Sequence, residues 1–354
     1  MGNEMTCMPR KEGKEIARSR STTVVRSHRK MSTEEEALHM QALAIAMQHH
    51  SQRFDGSLSR RISGANGKQN LPGVTSSRRR NLPESLSHEK LTPDIIDNME
   101  TKKFVLIHGE GFGAWCWYKS IAFLEEAGFL PIALDLTGSG IDNTDTSSIT
   151  SLTEYAKPLI DYLSNLRESE KVILVGHSCA GACVSYALEL FPKKVSKAVF
   201  LSAAMVSNGQ RPFDVFAEEL AFADIFSQES QVLIHGNGKG MPPTGLKLKK
   251  HQIKDLYFNQ SPAKDIALAA VSMRPIPLGP IMERLTLSKE NHGSVRQFFI
   301  QALEDRLLPP IRQENMVKQN VPERVYKIRG SDHCPFFSKP LSLHKILVEI
   351  AKLP

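Results

Sequence analysis

The chain has 354 residues, 41% of them hydrophobic and 23% charged, and a formal net charge of +7. That allows one large domain or two ordinary ones with ample apolar material for a core, and no apolar run approaches the ~20 residues that a membrane-spanning helix needs. The positive surplus is confined to one end: residues 1–90 hold 16 basic and 9 acidic residues, and the remainder holds 29 of each. The rest of the chain therefore offers no electrostatic reason to bind nucleic acid.

Residues 1–100 are rich in Ser, Arg, Gly and Asn, as in SRRISGANGKQN and SSRRRNLPES, and predict a largely disordered basic extension. One stretch, about 33–53, reads as an amphipathic helix. Ser32 and Glu35 suit a capping box, and Met40, Leu43, Ala44 and Met47 recur at helical spacing. Such a helix either packs weakly on the domain or meets a membrane or partner. Two addresses compete in the extension. Met1-Gly2-Asn3-Glu4-Met5-Thr6 matches the pattern for acylation of Gly2. Residues 16–33 lack acidic side chains and mix arginines with serines and threonines, as an organellar transit peptide does. The five cysteines, Cys7, Cys116, Cys179, Cys183 and Cys334, are odd in number and scattered, which fits a reducing compartment and argues against a zinc or disulfide framework.

From residue 102 the pattern changes to β-rich runs at 104–107, 131–136, 172–175, 198–201, 295–300 and 324–328, most of them separated by helical stretches. This alternation predicts an α/β domain over 101–354, with a doubly wound, mostly parallel sheet of about six strands. A long excursion, about 204–290, interrupts it. Helical patterns at 214–226 and 262–273, the latter with Ser261 as N-cap and Pro262 at the first helical position, predict an inserted, mainly helical cap.

The third run leads into Gly176-His177-Ser178-Cys179-Ala180-Gly181. A buried strand that turns abruptly into a helix with serine at the apex is the nucleophile elbow of an α/β-hydrolase. Alanine stands where G-x-S-x-G has its second glycine. The first run ends in His108-Gly109-Glu110-Gly111, which places the amide of Glu110 to pair with that of Cys179 as an oxyanion hole. Because the donors are main-chain groups the glutamate side chain need not interfere, although its charge beside a developing oxyanion would be unfavourable unless it points away. The base should follow the last strand, and His333 does, whereas His235, His251, His292 and His344 fall in the excursion or on helical stretches. For the acid, Asp305 is chosen over its rivals Glu304 and Asp332. Neither metal nor organic cofactor is required.

HGEGFGAWCWYK, ALDLTGSG, VILVGHSCAG, FNQSPAKDIALA, MRPIPLGP and GSDHCPFFSKP, taken in order, resemble the plant methylesterase family over about residues 102–354. MGN and SQRFDGSLSRR in the tail resemble its N-terminally extended, chloroplastic members. The resemblance implies a triad of Ser178, Asp305 and His333, oxyanion amides at Glu110 and Cys179, and hydrolysis of small apolar methyl esters such as those of salicylate, jasmonate or indole acetate. Relatives commonly carry a second glycine after the elbow and a small residue at position 110. Two rival readings accompany this one. A catalytically silent domain of the same fold could bind a small ligand and signal. A hydroxynitrile lyase resembles its own relatives in having lysine after the histidine, where this chain has Cys334.

Overall fold

The computed structural model describes residues 99–217, 231–238 and 240–354. The basic extension, its helix at 33–53 and the Gly2 and transit-peptide motifs lie outside the described residues.

Six strands form one parallel sheet: β1 (Lys103–Ile107), β2 (Leu130–Leu134), β3 (Val172–His177), β4 (Val195–Leu201), β8 (Arg296–Ala302) and β9 (Arg324–Ile328), in the order β2-β1-β3-β4-β8-β9. These are the six runs legible in the sequence, with ends shifted by three residues or fewer. The chain passes from β1 outward to β2, then returns to β3 on the other side of β1. This reversal is the switch point at which open α/β sheets hold their ligands. Ile107 pairs with both Leu134 and Gly176, so the loops leaving β1 and β3 emerge side by side.

Alternation along the strands builds two cores. Val105, Ile107, Leu174, Ala198 and Phe200 face α2 (Lys157–Ser164), α3 (Ala180–Leu190) and α6 (Pro310–Gln319). Phe104, Leu106, Val175, Val199 and Ile300 face α1 (Tyr118–Glu126) and α7 (Pro340–Lys352). Burial on both sides explains why β3 reads as a continuous apolar run, VILV.

The excursion between β4 and β8 contains helices, as the pattern predicted, among them α4 (Lys250–Tyr257) and α5 (Ala263–Ser272). It also holds a three-stranded antiparallel sheet of β5 (Gln231–Ile234), β6 (Gly245–Leu248) and β7 (Ile276–Pro277). These strands are too short for alternation to mark them. Of the helix expected at 214–226, residues through Ala217 are helical, in Pro212–Ala217, and the rest lies outside the described residues. The helix at 263 starts one residue later than expected. Pro262 is its N-cap, and the Ser261 hydroxyl goes instead to Asp332.

The elbow follows directly from β3. Ser178 has φ of 55°, a left-handed conformation that costs a non-glycine residue roughly 1–3 kcal/mol and persists only under tight surroundings. Those surroundings are the Ser178 N–H bonded to Leu201 O at 3.3 Å, and the Ser178 carbonyl accepting from Gly181 N at 3.1 Å and Ala204 N at 3.0 Å. A Cβ on Gly181 would stand 2.1 Å from the Ala204 carbonyl oxygen, and one on Gly176 2.5 Å from Val184. Ala180, at the first turn of α3, fits within the core. The glycine that the turn requires is therefore Gly181, which is why alanine is accepted one position earlier. Gly181→Ala is expected to lower stability by about 1–3 kcal/mol through overpacking. Ala180→Gly should cost only about 0.5–1 kcal/mol of helix propensity. Denaturant midpoints of the two variants test the contrast.

Candidate active site

Four loops, leaving β1, β3, β8 and β9, bring Glu110, Ser178, Asp305 and His333 together. Ser178 Oγ lies 2.8 Å from His333 Nε2, and His333 Nδ1 lies 2.7 Å from Asp305 Oδ2. Both Ser178 and His333 are fully buried. Asp305, rather than Glu304 or Asp332, supplies the oxygen at the imidazole. Its Oδ1 accepts the amides of Leu307 and Leu308 at 2.9 and 2.8 Å, which fixes the carboxylate before it meets the histidine.

Burial alone would depress the His333 pKa, because desolvation disfavours the cation. The charge and hydrogen bond of Asp305, with Glu110 and Asp332 behind them, outweigh this and hold the group above its ordinary value. Asp332 turns elsewhere. Its Oδ2 accepts Gln260 N at 2.9 Å and Ser261 Oγ at 2.7 Å, and its Oδ1 accepts Cys334 N at 3.0 Å. Burial raises its pKa. Burial and the charge of Asp332 also push the Cys334 thiol well above its ordinary value, so a neutral group follows the histidine.

For Glu110 the structure shows the inward arrangement. Its side chain does not point away but fills the position in front of the serine: Oε1 accepts Ser178 Oγ at 3.0 Å and Tyr257 OH at 2.8 Å, and Oε2 accepts Cys179 N at 3.1 Å. The carboxylate is buried, with 7% exposure. The cause is a supply of donors. Cys179 is the N-cap of α3, where amides lack intrahelical partners and the helix dipole favours negative charge, and Tyr257 adds a hydroxyl from α4. A side chain as short as glutamate can reach all three from the loop after β1.

Three other residues were not singled out by sequence reasoning. Tyr257, in the excursion, also packs edge-on to His333, with ring centroids 5.3 Å apart. Gln313 is fully buried and donates to Asp305 Oδ2 at 3.2 Å and to the Ala302 and Leu308 carbonyls. His177, the variable position of the elbow motif, sits among Phe112 and Phe336 with Nε2 2.8 Å from the His333 carbonyl oxygen. Burial, then the neighbouring His333, depresses its pKa well below the ordinary value. It is therefore neutral, and Nε2–H donates to that carbonyl. Only the position of His177 inside the motif could have flagged it. His108 works similarly for the first loop: Leu136 N donates to its Nε2 at 3.0 Å, leaving Nδ1–H to donate to Gly109 O at 2.7 Å.

The alpha/beta hydrolase family model matches residues 104–343. An Arabidopsis thaliana protein named "Putative methylesterase 12, chloroplastic" is 56% identical over the whole of both chains. The chain belongs to the methylesterase branch of the alpha/beta hydrolases. Methyl jasmonate esterase 1 of Vitis vinifera is 37% identical, covering 71% of this chain and 97% of its own. The crystal structure of an Arabidopsis methylesterase superposes with a TM-score of 0.63 at 35% identity, over 70% of this chain and 98% of that one. Among these methylesterase relatives the chain is a carboxylic ester hydrolase by family.

Because His177 holds the backbone of the histidine loop, His177→Phe should keep the ring's bulk while stranding a buried carbonyl, at about 1–3 kcal/mol. Misplacement of the imidazole should lower kcat by about ten- to a hundredfold with little change in KM. Steady-state kinetics with a thermal melt check both effects.

Proposed function

We propose that the chain hydrolyses methyl esters of small apolar plant acids, of the salicylate, jasmonate or indole acetate type, through an acyl-enzyme on Ser178. The observation that carries this reading is the continuous relay Ser178–His333–Asp305, with contacts of 2.8 and 2.7 Å. Ser178 Oγ attacks the ester carbonyl carbon as its proton passes to His333 Nε2. Asp305 keeps Nδ1–H oriented and stabilises the imidazolium. The tetrahedral oxyanion is met by the amides of Cys179 and Glu110, after the glutamate carboxylate has left the Cys179 amide. Collapse expels methoxide, which takes the proton from His333 and departs as methanol. Water, deprotonated by the same imidazole, then attacks the acyl carbon and releases the free acid with regeneration of Ser178. No step calls for a metal or organic cofactor.

The substrate class draws support from the grapevine relative named for methyl jasmonate. A second reading has its own support: the carboxylate of Glu110 resting on the Cys179 amide favours a silent domain that binds a small ligand. Lyase chemistry is disfavoured because the residue after the histidine is not a lysine but Cys334, whose thiol burial keeps neutral. Ser178→Ala should abolish labelling by a fluorophosphonate and reduce methyl-ester turnover by about ten-thousandfold. Retained turnover in that variant would refute the serine assignment. Turnover across methyl salicylate, methyl jasmonate and methyl indole-3-acetate ranks the substrates, and a wild-type chain inert to all three and to the label supports the silent reading.

We further propose a chloroplast destination, supported by the printed name of the 56% identical relative and by the acid-free basic stretch at 16–33. The alternative is anchoring at a membrane through an acylated Gly2. Mass spectrometry of the mature N-terminus should find cleavage within the first 100 residues in the first case and a fatty acid on Gly2 in the second.

A further inference from the structure

In an esterase of this kind the reacting carbonyl oxygen must come within about 3 Å of the amide after the nucleophile while the carbonyl carbon lies in front of the serine oxygen. In this chain that position is taken. One oxygen of Glu110 rests on Cys179 N and the other on Ser178 Oγ, at 3.1 and 3.0 Å. A planar carboxylate spanning amide and serine has the footprint of the acid that the reaction releases. Tyr257 clamps it with a third donor at 2.8 Å.

We propose that Glu110 is a built-in competitor of the ester: its carboxylate must vacate the serine and the Cys179 amide before acylation, and it thereby limits kcat/KM. This rests on the serine esterase reading above and adds a residue that restrains it. Two consequences follow from hydrogen-bond bookkeeping. The serine hydroxyl has one proton, so while it donates to Glu110 it cannot donate to His333. His333 Nε2, at 2.8 Å from the same oxygen, then makes its contact as a donor, which is the imidazolium form and cannot act as a base. The nearby anion favours that form. Glu110 is among the charges that raise the His333 pKa, after the opposing effect of burial and the larger push from Asp305.

The groups facing His333 are Asp305 from the loop after β8, Asp332 on its own loop, Glu110 from the loop after β1, Ser178 and neutral His177 from the end of β3, and Tyr257 from α4. Of these, Glu110 is the one that also covers the oxyanion donor, so its removal should change rate and pH profile together. The sign is fixed by chemistry. The base works when neutral, so kcat/KM rises with pH through the His333 pKa, and loss of a neighbouring anion moves that limb to lower pH.

The test uses the full chain with methyl esters and with 4-nitrophenyl acetate. Glu110→Ala should raise kcat/KM about tenfold or more, the scale expected when a hydrogen-bonded charge stops competing for a site. It should also shift the acid limb downward, speed fluorophosphonate labelling, and make the protein newly sensitive to competitive inhibition by acetate, which can occupy the vacated donors. Tyr257→Phe, which removes one of three clamping bonds, should raise kcat/KM about two- to fivefold, and decides alone if Glu110→Ala does not fold. Unchanged or lower kcat/KM in these variants, with wild-type melting, overturns the proposal. Ser178→Ala in the Glu110→Ala background separates the two readings. Activity that rises with Glu110→Ala and survives the loss of Ser178 sinks the serine mechanism and, with it, the claim that Glu110 restrains acylation. Activity that dies with Ser178 and never rose with Glu110→Ala sinks the competitor but not the mechanism.

Discussion

The site hangs on a close approach of two backbones. Gly181 at the start of α3 lies so near Ala204, just beyond β4, that a single methyl would collide with it. This approach lets the Ser178 carbonyl take hydrogen bonds from both Gly181 and Ala204, and those bonds hold Ser178 at positive φ. A strained serine is stable only when its surroundings fix it on all sides. Sequence specifies these surroundings twice, through the apolar β3 buried on both faces and through the run of small residues that opens α3.

Around this fixed point the remaining groups arrive from separate loops, each locked by a neutral buried partner. His108 ties the first loop to Leu136, two residues beyond β2, His177 carries the backbone of His333, and Gln313 joins Asp305 to the Ala302 and Leu308 carbonyls on either side of it. Burying these polar side chains is tolerable because each finds a hydrogen-bond partner. The charged members, Asp305, Glu110 and the imidazole between them, form one electrostatic unit. In it both carboxylates favour the protonated imidazole.

Much of this was legible in the chain. The four inner strands β1, β3, β4 and β8 stand out because burial on both faces demands near-continuous apolar runs, the edge strands β2 and β9 are partly exposed and show weaker ones, and Ser178, Asp305 and His333 stand out because each follows the end of a strand. Strands β5 to β7 are short and sit on a small sheet whose apolar content is shared with helices, so no period marks them. Tyr257 looks like any aromatic on a helix. Its role depends on how the excursion folds back over the serine, which is long-range information. The direction of the Glu110 side chain was not legible in the chain for a related reason. Charge repulsion from a developing oxyanion argues for an outward rotamer, but in the resting protein there is no oxyanion, and three converging donors attract the carboxylate inward.

The bonds from Gln260 and Ser261 to Asp332 join the loop that carries the imidazole to the inserted region. A lineage exploring new acyl groups by remodelling that region would disturb its own proton-transfer machinery unless this short hinge were spared. Diversification should therefore concentrate away from residues 260–261, with the carboxylate acting as an anchor that lets recognition drift while reactivity is inherited intact.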